Sequence, residues 1–124
     1  MEDMARSRVF RFGEMPLKRM ANGGESRDIM QGQLVTGEEV ALHESMQVVG
    51  AAPNPAHRIE HTEVVLVSEG TLEFRHDDKV EQVGPGGVIF VAKGTVHAVK
   101  NIGEGPAKYF VVAIGGDVNQ QIVK

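Results

Sequence analysis

The 124-residue sequence has no cysteine, no tryptophan and a single tyrosine. Without cysteine, the chain cannot form a disulfide scaffold, a zinc ribbon, a thiolate-held iron–sulfur cluster or a cysteine nucleophile. Any metal that it binds must therefore be held by imidazole nitrogens and carboxylate oxygens. The five histidines become the residues to follow, because they carry this chemistry only if they cluster.

Long apolar runs and a surplus of positive charge are also missing. No stretch approaches the roughly 18 apolar residues that a membrane span requires, and no secretory apolar segment follows the start. Thirteen Lys and Arg against 17 Asp and Glu give a formal net charge of −4, which argues against a general nucleic-acid surface. We therefore expect a cytoplasmic protein with neither a nucleic-acid partner nor a membrane partner.

Short extended segments separated by turn residues make up most of the chain. Asp77-Asp78 predicts a tight hairpin turn, and residues 84–87 (Gly-Pro-Gly-Gly) predict another. No window keeps apolar residues at a helical period. The clearest predicted strands lie at residues 40–49, 63–67, 71–75, 79–83, 88–92, 96–102 and 108–114. This pattern is typical of a single all-β domain, either a sandwich or a barrel.

The first 35 residues carry weaker signals. Val9, Phe10 and Phe12 suggest an added edge strand, and residues 15–20 suggest one turn of helix. The predicted organisation has three parts: an N-terminal arm or edge strand over residues 1–35 that packs on the barrel or on a partner subunit, a barrel over residues 36–116, and a C-terminal tail over residues 117–124.

Three of the five histidines lie where turns lead into predicted strands. His57 and His61 precede an apolar run, and His97 begins a later strand. Alternate side chains of an extended chain share a face, so His57, His61 and Glu63 point the same way. Two imidazoles and a carboxylate on one face can hold a divalent cation, and His97 from a neighbouring strand can complete a mixed nitrogen and oxygen site.

These residues lie in two segments that resemble the two sequence motifs of the cupin family. The first segment is H-R-I-E-H-T-E-V-V-L-V-S-E-G at residues 57–70, and the second is G-G-V-I-F-V-A-K-G-T-V-H-A-V-K-N at residues 86–101. The residues that match the motifs are His57, Glu63, Gly70, Gly86, Gly94, His97 and Asn101. The resemblance covers roughly residues 40–114 and implies a single-domain cupin jelly-roll β-barrel, also called a double-stranded β-helix.

The departure that matters most is Ile59, which stands where the family has its second metal-binding histidine. The resemblance leaves His57, Glu63 and His97 as metal ligands, which is the composition of a 2-His-1-carboxylate site. His61 is then a substitute fourth ligand or a catalytic general base. The implied cofactor is a divalent transition metal, and Zn, Fe, Ni, Mn and Cu all suit these donors.

Two functions stay open at this stage. The first is a metal-dependent cupin enzyme of dioxygenase, isomerase, epimerase or lyase type that acts on a small-molecule substrate. The second is a non-catalytic cupin that binds a small molecule and has lost its metal because of Ile59. Fold alone does not select the reaction.

Other residues have weaker roles. His43 and Ser45 are two residues apart and so share a face of the predicted strand, from which His43 can reach the barrel interior. His76 is expected to be exposed beside its turn. Phe90 and Phe110 are expected in the core. The continuous apolar runs VVLV, VIFVA and YFVVAI suit strands that are covered on both faces, and they predict a homodimer interface.

Overall fold

A computed structural model describes residues 2–50, 52 and 55–122 and shows an all-β molecule. The described residues form ten strands, which are β1 (Glu2–Met4), β2 (Leu17–Arg19), β3 (Glu25–Leu34), β4 (Glu39–Gln47), β5 (His57–Glu69), β6 (Leu72–His76), β7 (Lys79–Val83), β8 (Val88–Val91), β9 (Val96–Asn101) and β10 (Ala107–Ile122). In this part of the chain no helix has the length and apolar character needed to cross a membrane.

The ten strands share one hydrogen-bonded network. Their order is β1-β3-β4-β10-β5-β9-β6-β7, with β2 added to β3 and β8 added to β5. The long strand β5 pairs with β10 along one edge and with both β8 and β9 along the other. Because neighbours in the sheet are often distant in sequence, the connections cross between layers as in a jelly roll. The predicted all-β jelly-roll barrel is confirmed.

β5 shows why this sequence forms a strand with one inward face. Residues at odd positions from Ile59 to Val67 are buried, whereas Leu66 on the other face is exposed. This alternation follows from the pleat, which sends successive side chains to opposite faces. The inward residues of β5 join a core with members from β6, β8 and β10, namely Ile59, Val65, Val67, Leu72, Phe74, Ile89, Val91, Ala107, Tyr109 and Val111.

Two turns depend on left-handed backbone. Asp77 and Asp78 have φ values of 47° and 62°, which confirms the predicted tight hairpin between β6 and β7. Gly70 has φ of 81°, and a Cβ at this position would lie 2.6 Å from the carbonyl oxygen of Pro106. Gly70 therefore serves the fold through its missing side chain.

The N-terminal predictions need correction. Residues 9–11 are not a strand, and Phe12–Glu14 forms a short 3-10 turn. The predicted helical turn at residues 15–20 is wrong, because residues 17–19 form β2 against β3. β3 itself was not predicted, since its sequence ESRDIMQGQL is mostly polar and its hydrogen bonds to β4 decide its structure.

At the C-terminal end, β10 continues into the predicted tail, where residues 117–122 pair with residues 57–60.

The outward face of β5 and β8 is apolar and exposed. Phe90 is 60% exposed, so the prediction that it lies in the core is wrong. It faces outward because it pairs across the strands with Val64, and Leu66 pairs in the same way with Val88. Phe110, which is half-buried, is partly covered by Phe12, whose ring meets it edge-on at 6.4 Å.

Candidate functional site

The first half of β5 places a set of chemically different side chains on the barrel interior. Ile59, His61 and Glu63 are 0%, 1% and 3% exposed, and half-buried His57 precedes them at the open end. Their shared orientation follows from the two-residue period of the strand, as the sequence predicts. Ile59 belongs to the apolar core, so the position of the family's second histidine is filled by packed hydrocarbon.

β9 brings His97 directly beside His57. The two residues are partners in the β5–β9 register, and their ring centroids are 4.4 Å apart. His97 Nε2 also lies 3.9 Å from Glu63 Oε1, which is beyond hydrogen-bond distance. The predicted grouping of two imidazoles and one carboxylate is therefore present at one end of the barrel.

Both imidazoles of this pair are oriented by backbone carbonyl groups. His57 Nδ1 lies 3.2 Å from the Pro55 carbonyl oxygen, and His97 Nδ1 lies 3.2 Å from that of Thr95. A carbonyl oxygen only accepts, so Nδ1–H is the donor and Nε2 carries the lone pair in the neutral ring. Burial, reinforced by the neighbouring His57, lowers the pKa of His97 and favours this neutral form.

His61 pairs with Glu63 behind the imidazole pair. Its Nε2–H donates to Glu63 Oε2 at 2.7 Å, and both side chains are almost completely buried. A buried carboxylate needs such a partner, because desolvation penalises an unpaired charge. His61 is not among the residues that line the cavity, but it contacts the lining residue Glu63 directly.

A cavity of about 380 Å³ opens in front of these groups. Its residues come mainly from β3, β4, β5, β9 and β10, and it has both polar and apolar walls. The lining residues are Met20, Ser26, Asp28, His43, Ser45, Pro55, His57, Glu63, Val65, His97, Val99, Tyr109 and Val111. A concave, partly apolar space with a few convergent polar groups is the usual form of a small-molecule site.

The far wall adds groups from β3, β4 and β10. His43 lies opposite Asp28 in the β3–β4 register, and burial lowers the pKa of His43. His43 and Ser45 both line the cavity, which confirms the prediction that they share the inward face of β4. Tyr109 was missed by the sequence reasoning, because it sits inside an apolar run that predicted only a buried strand. Its Oη accepts a hydrogen bond from Gln47 Nε2 at 3.1 Å.

A buried amide network fixes this wall. Gln47 Nε2 also donates to the Val99 carbonyl at 3.1 Å, and Gln47 Oε1 accepts from the Asn101 backbone N–H at 2.9 Å. Asn101 Nδ2 in turn donates to the carbonyl groups of Gln47 and Gly105. Asn101, at the end of β9, is thus bonded to the backbone of β4 and of the following turn. The network holds β4, β9 and β10 in register around Tyr109.

His76 lies outside the cavity. Its ring stacks on Phe74 at a centroid distance of 4.5 Å, and its Nε2 lies 2.6 Å from Glu81 Oε2. The hydrogen bond with Glu81 is the main cause that raises the pKa of His76. The side chain is 20% exposed, less than the sequence position suggested, because Phe74 covers one face of the ring.

The imidazole and carboxylate groups of the site are of the right chemical type for a divalent cation, but they are not arranged to hold one. Imidazole nitrogens and a carboxylate suit a transition metal. Within residues 2–50, 52 and 55–122, however, no three His, Asp or Glu side chains converge closely enough to hold one ion. Ile59 leaves the fourth position without a donor, and Glu63 already accepts a short hydrogen bond from His61. The metal-ligand roles of His57, His61, Glu63 and His97 stay predictions.

Solved structures with similar folds are numerous. The polyketide cyclase RemF from Streptomyces resistomycificus has a TM-score of 0.73 and 17% identity, over 96% of this chain and 87% of that one. A mutant of the Bacillus subtilis oxalate decarboxylase OxdC has a TM-score of 0.75 and 19% identity, over 98% of this chain and only 35% of that one. An RmlC-like cupin from Shewanella frigidimarina has a TM-score of 0.70 and 18% identity, over 91% of this chain and 96% of that one.

These identities support a shared fold and nothing finer. No curated protein matches the chain. The family model described as "Cupin domain" matches residues 42–113, which is more than half of the 124 residues. That match includes both histidine-bearing motifs and strands β5 to β9. The chain belongs to the cupin family.

Proposed function

We propose that this cupin binds a small organic molecule in the barrel cavity and contacts it directly through His57, His97 and Glu63. The observation that carries the proposal is the meeting of these three groups at one end of a cavity of about 380 Å³. The lining also includes Val65 and Val111, so a ligand can bury apolar atoms while its polar end meets the imidazoles.

Ile59 supports direct contact over contact through a metal. It is completely buried and packs with the core, so the position offers no donor atom. One of the remaining candidate ligand atoms is already in use, because Glu63 Oε2 accepts a hydrogen bond from His61 at 2.7 Å. Binding without an ion requires neither a fourth ligand nor movement of this buried pair.

His61 acts in this proposal as a positioning residue for Glu63. It is 1% exposed and does not line the cavity, so a substrate would meet Glu63 before it met His61. The short hydrogen bond fixes the carboxylate plane and leaves Oε1 directed toward His97, 3.9 Å away. The sequence-based role of His61 as a general base would need direct access to the substrate.

The test uses chelator-treated protein and the intrinsic fluorescence of Tyr109, the chain's single tyrosine, which lines the cavity. A library of neutral, cationic and anionic small molecules is screened for saturable fluorescence changes that also raise the melting temperature. We expect binders, and we expect His97→Ala to weaken them at least tenfold. His76→Ala, outside the cavity, should leave their affinity unchanged. A library without any saturable binder contradicts the proposal.

The second candidate is a metal-dependent enzyme of dioxygenase, isomerase, epimerase or lyase type. The observation that favours it is the pair of Nδ1–H donations to the Pro55 and Thr95 carbonyl groups. Such hydrogen bonds orient metal-ligating histidines in other proteins and direct Nε2 toward the ion. His57, Glu63 and His97 would then be the ligands after the side chains converge.

Elemental analysis of protein purified without chelator tests this candidate. Stoichiometric Zn, Fe, Ni, Mn or Cu that disappears in His97→Ala would support it. The matched control is His76→Ala, which removes an imidazole outside the cavity and should leave the metal content unchanged. Metal content that stays negligible after each ion is supplied in turn contradicts it and leaves direct binding as the remaining proposal.

The proposed assembly is a cytoplasmic homodimer that covers the outward face of β5 and β8. Leu66, Val88 and Phe90 on this face are 41%, 59% and 60% exposed. Water contact with adjoining apolar side chains is unfavourable, so a second copy can stabilise this face. Light scattering at micromolar protein should give twice the monomer mass, and Phe90→Glu should shift the mass to that of a monomer. A wild-type monomer contradicts the proposal.

A further inference from the structure

The polar end of the cavity presents acceptors rather than donors. His57 and His97 each use Nδ1–H on a backbone carbonyl, so that Nε2, the acceptor nitrogen of an imidazole in this tautomer, is left for a ligand. Glu63 adds a carboxylate oxygen, Oε1, next to His97, while its Oε2 already accepts from His61. Three acceptor atoms thus lie together on the wall formed by β5 and β9, and a ligand there must donate to satisfy them.

Positive charge is scarce around the same cavity. Among the described residues that line it, none is Lys or Arg. Arg58 and Lys93, which belong to the two sequence motifs, are exposed and do not line it. Lys18 is largely exposed, and its Nζ forms an ion pair with the cavity residue Asp28 at 3.0 Å from Oδ2. An anion that enters would lose hydration without gaining a partner of opposite charge.

The tyrosine hydroxyl on the far wall is already hydrogen-bonded within the protein. The Tyr109 hydroxyl is hydrogen-bonded with Gln47 and with Ser45. His43 lies on the same wall, and burial favours its neutral form. A neutral His43 offers a ligand one N–H donor but no positive charge, so the far wall gives an anion no full counter-charge.

We infer that the ligand of this cavity is a non-anionic molecule with an apolar body and a polar end that donates hydrogen bonds through a hydroxyl or an ammonium group. The inference rests on the proposed direct binding and names the chemical class of that ligand. A carboxylate or phosphate would place acceptors against the acceptors of His57, His97 and Glu63, which the site disfavours.

The experiment compares three probes that share one body: cyclohexylmethanol, cyclohexylmethylamine and cyclohexanecarboxylate. None absorbs where tyrosine is excited, so Tyr109 fluorescence reports binding directly in chelator-treated protein at pH 7.5. We expect the carboxylate to bind at least tenfold more weakly than the better of the other two. The alcohol and the amine arms decide whether the preferred donor is a hydroxyl or an ammonium group.

Glu63→Gln provides the matched variant, because it replaces an acceptor oxygen by an amide donor of similar size. We expect the discrimination against the carboxylate to fall at least threefold in this variant and to stay unchanged in Glu104→Gln, an exposed position outside the cavity. If Glu63→Gln does not fold, His57→Gln at the half-buried open end makes the same exchange of an acceptor for a donor.

Carboxylate binding as tight as that of the alcohol or the amine overturns the inference while leaving direct small-molecule binding intact. A lack of saturable binding by all three probes also overturns it. The wider small-molecule library then separates the two proposals. If it yields only anionic binders, the proposed function stands without this inference, and if it yields no binder, both proposals are contradicted. Unchanged discrimination in a folded Glu63→Gln variant contradicts the assigned role of the acceptor wall.

Discussion

The inward face of β5 has two halves that differ in chemistry although the backbone is the same strand. From His57 to Glu63 the face is polar with one exception, Ile59, whereas Val65 and Val67 continue it as apolar core, and Val65 also lines the cavity. The polar half is stabilised by pairing, as in the 2.7 Å hydrogen bond of His61 with Glu63, and the apolar half by packing. The difference teaches that burial alone does not define a core, because Glu63 is as buried as Val65 and yet presents a carboxylate to the cavity.

The largest expected effect comes from breaking the buried pair in the polar half. His61→Leu keeps the side-chain volume but leaves Glu63 buried without its donor, so we expect a loss of about 3 kcal/mol in the free energy of unfolding. Urea denaturation measures it. The control is His76→Leu, which removes a partner of Glu81 near the surface and should cost about 1 kcal/mol or less.

A double variant separates pairing from packing in the same place. His61→Leu combined with Glu63→Leu replaces both partners by apolar groups, which often restores the stability that a single replacement removes. We expect the double variant to be more stable than His61→Leu alone. A double variant that is less stable would show that the pair does not behave as an isolated buried interaction.

The apolar half should respond through packing alone. Val67→Ala removes two buried methyl groups from a side chain that is 3% exposed, and we expect a loss of about 2 kcal/mol in unfolding free energy. Ligand affinity measured by Tyr109 fluorescence should stay unchanged, because Val67 does not line the cavity. A large change in ligand affinity would mean that the two halves are not separate in function.

Ile59→His tests the exception inside the polar half. The change supplies the donor that the family pattern has there, so we expect affinity for Mn or Zn to rise at least tenfold, equivalent to about 1.4 kcal/mol. Calorimetric titration of chelator-treated wild-type and variant protein measures it. Equal affinity in both proteins would mean that Ile59 is not what weakens the site.

The smallest expected effect concerns pH and contrasts a histidine inside the barrel with one outside. Burial lowers the pKa of His43, so the folded protein binds fewer protons than the unfolded one, and stability falls as pH drops below about 6.5. The raised pKa of His76 acts in the opposite direction, since its contribution is lost as pH rises.

Urea midpoints at pH 7.5 and pH 5.5 check both signs in one series. His43→Gln should reduce the loss of stability between these pH values, and His76→Gln should enlarge it. Shifts of the same sign in the two variants would contradict the opposite pKa directions.

Sequence patterns were informative where residues repeat at the period of the structure. The two-residue period predicted that His57, His61 and Glu63 share a face, and Asp77-Asp78 predicted the hairpin. The same reasoning failed for Phe90, because an apolar run of four or five residues does not reveal which face is covered. β3 was missed because pairing with β4, a long-range property, outweighs its polar composition.

The sequence by itself determined the family, the all-β fold and the set of histidines and carboxylates available, because spacing within a strand is local. Only the tertiary structure decided how those groups are used. The register between β5 and β9 places His57 beside His97. His61 is buried in a hydrogen bond with Glu63 and does not reach the cavity. Hydrogen bonds from Nδ1 to two backbone carbonyl groups left an acceptor wall. Such relations depend on distances between strands, which one-dimensional spacing does not contain.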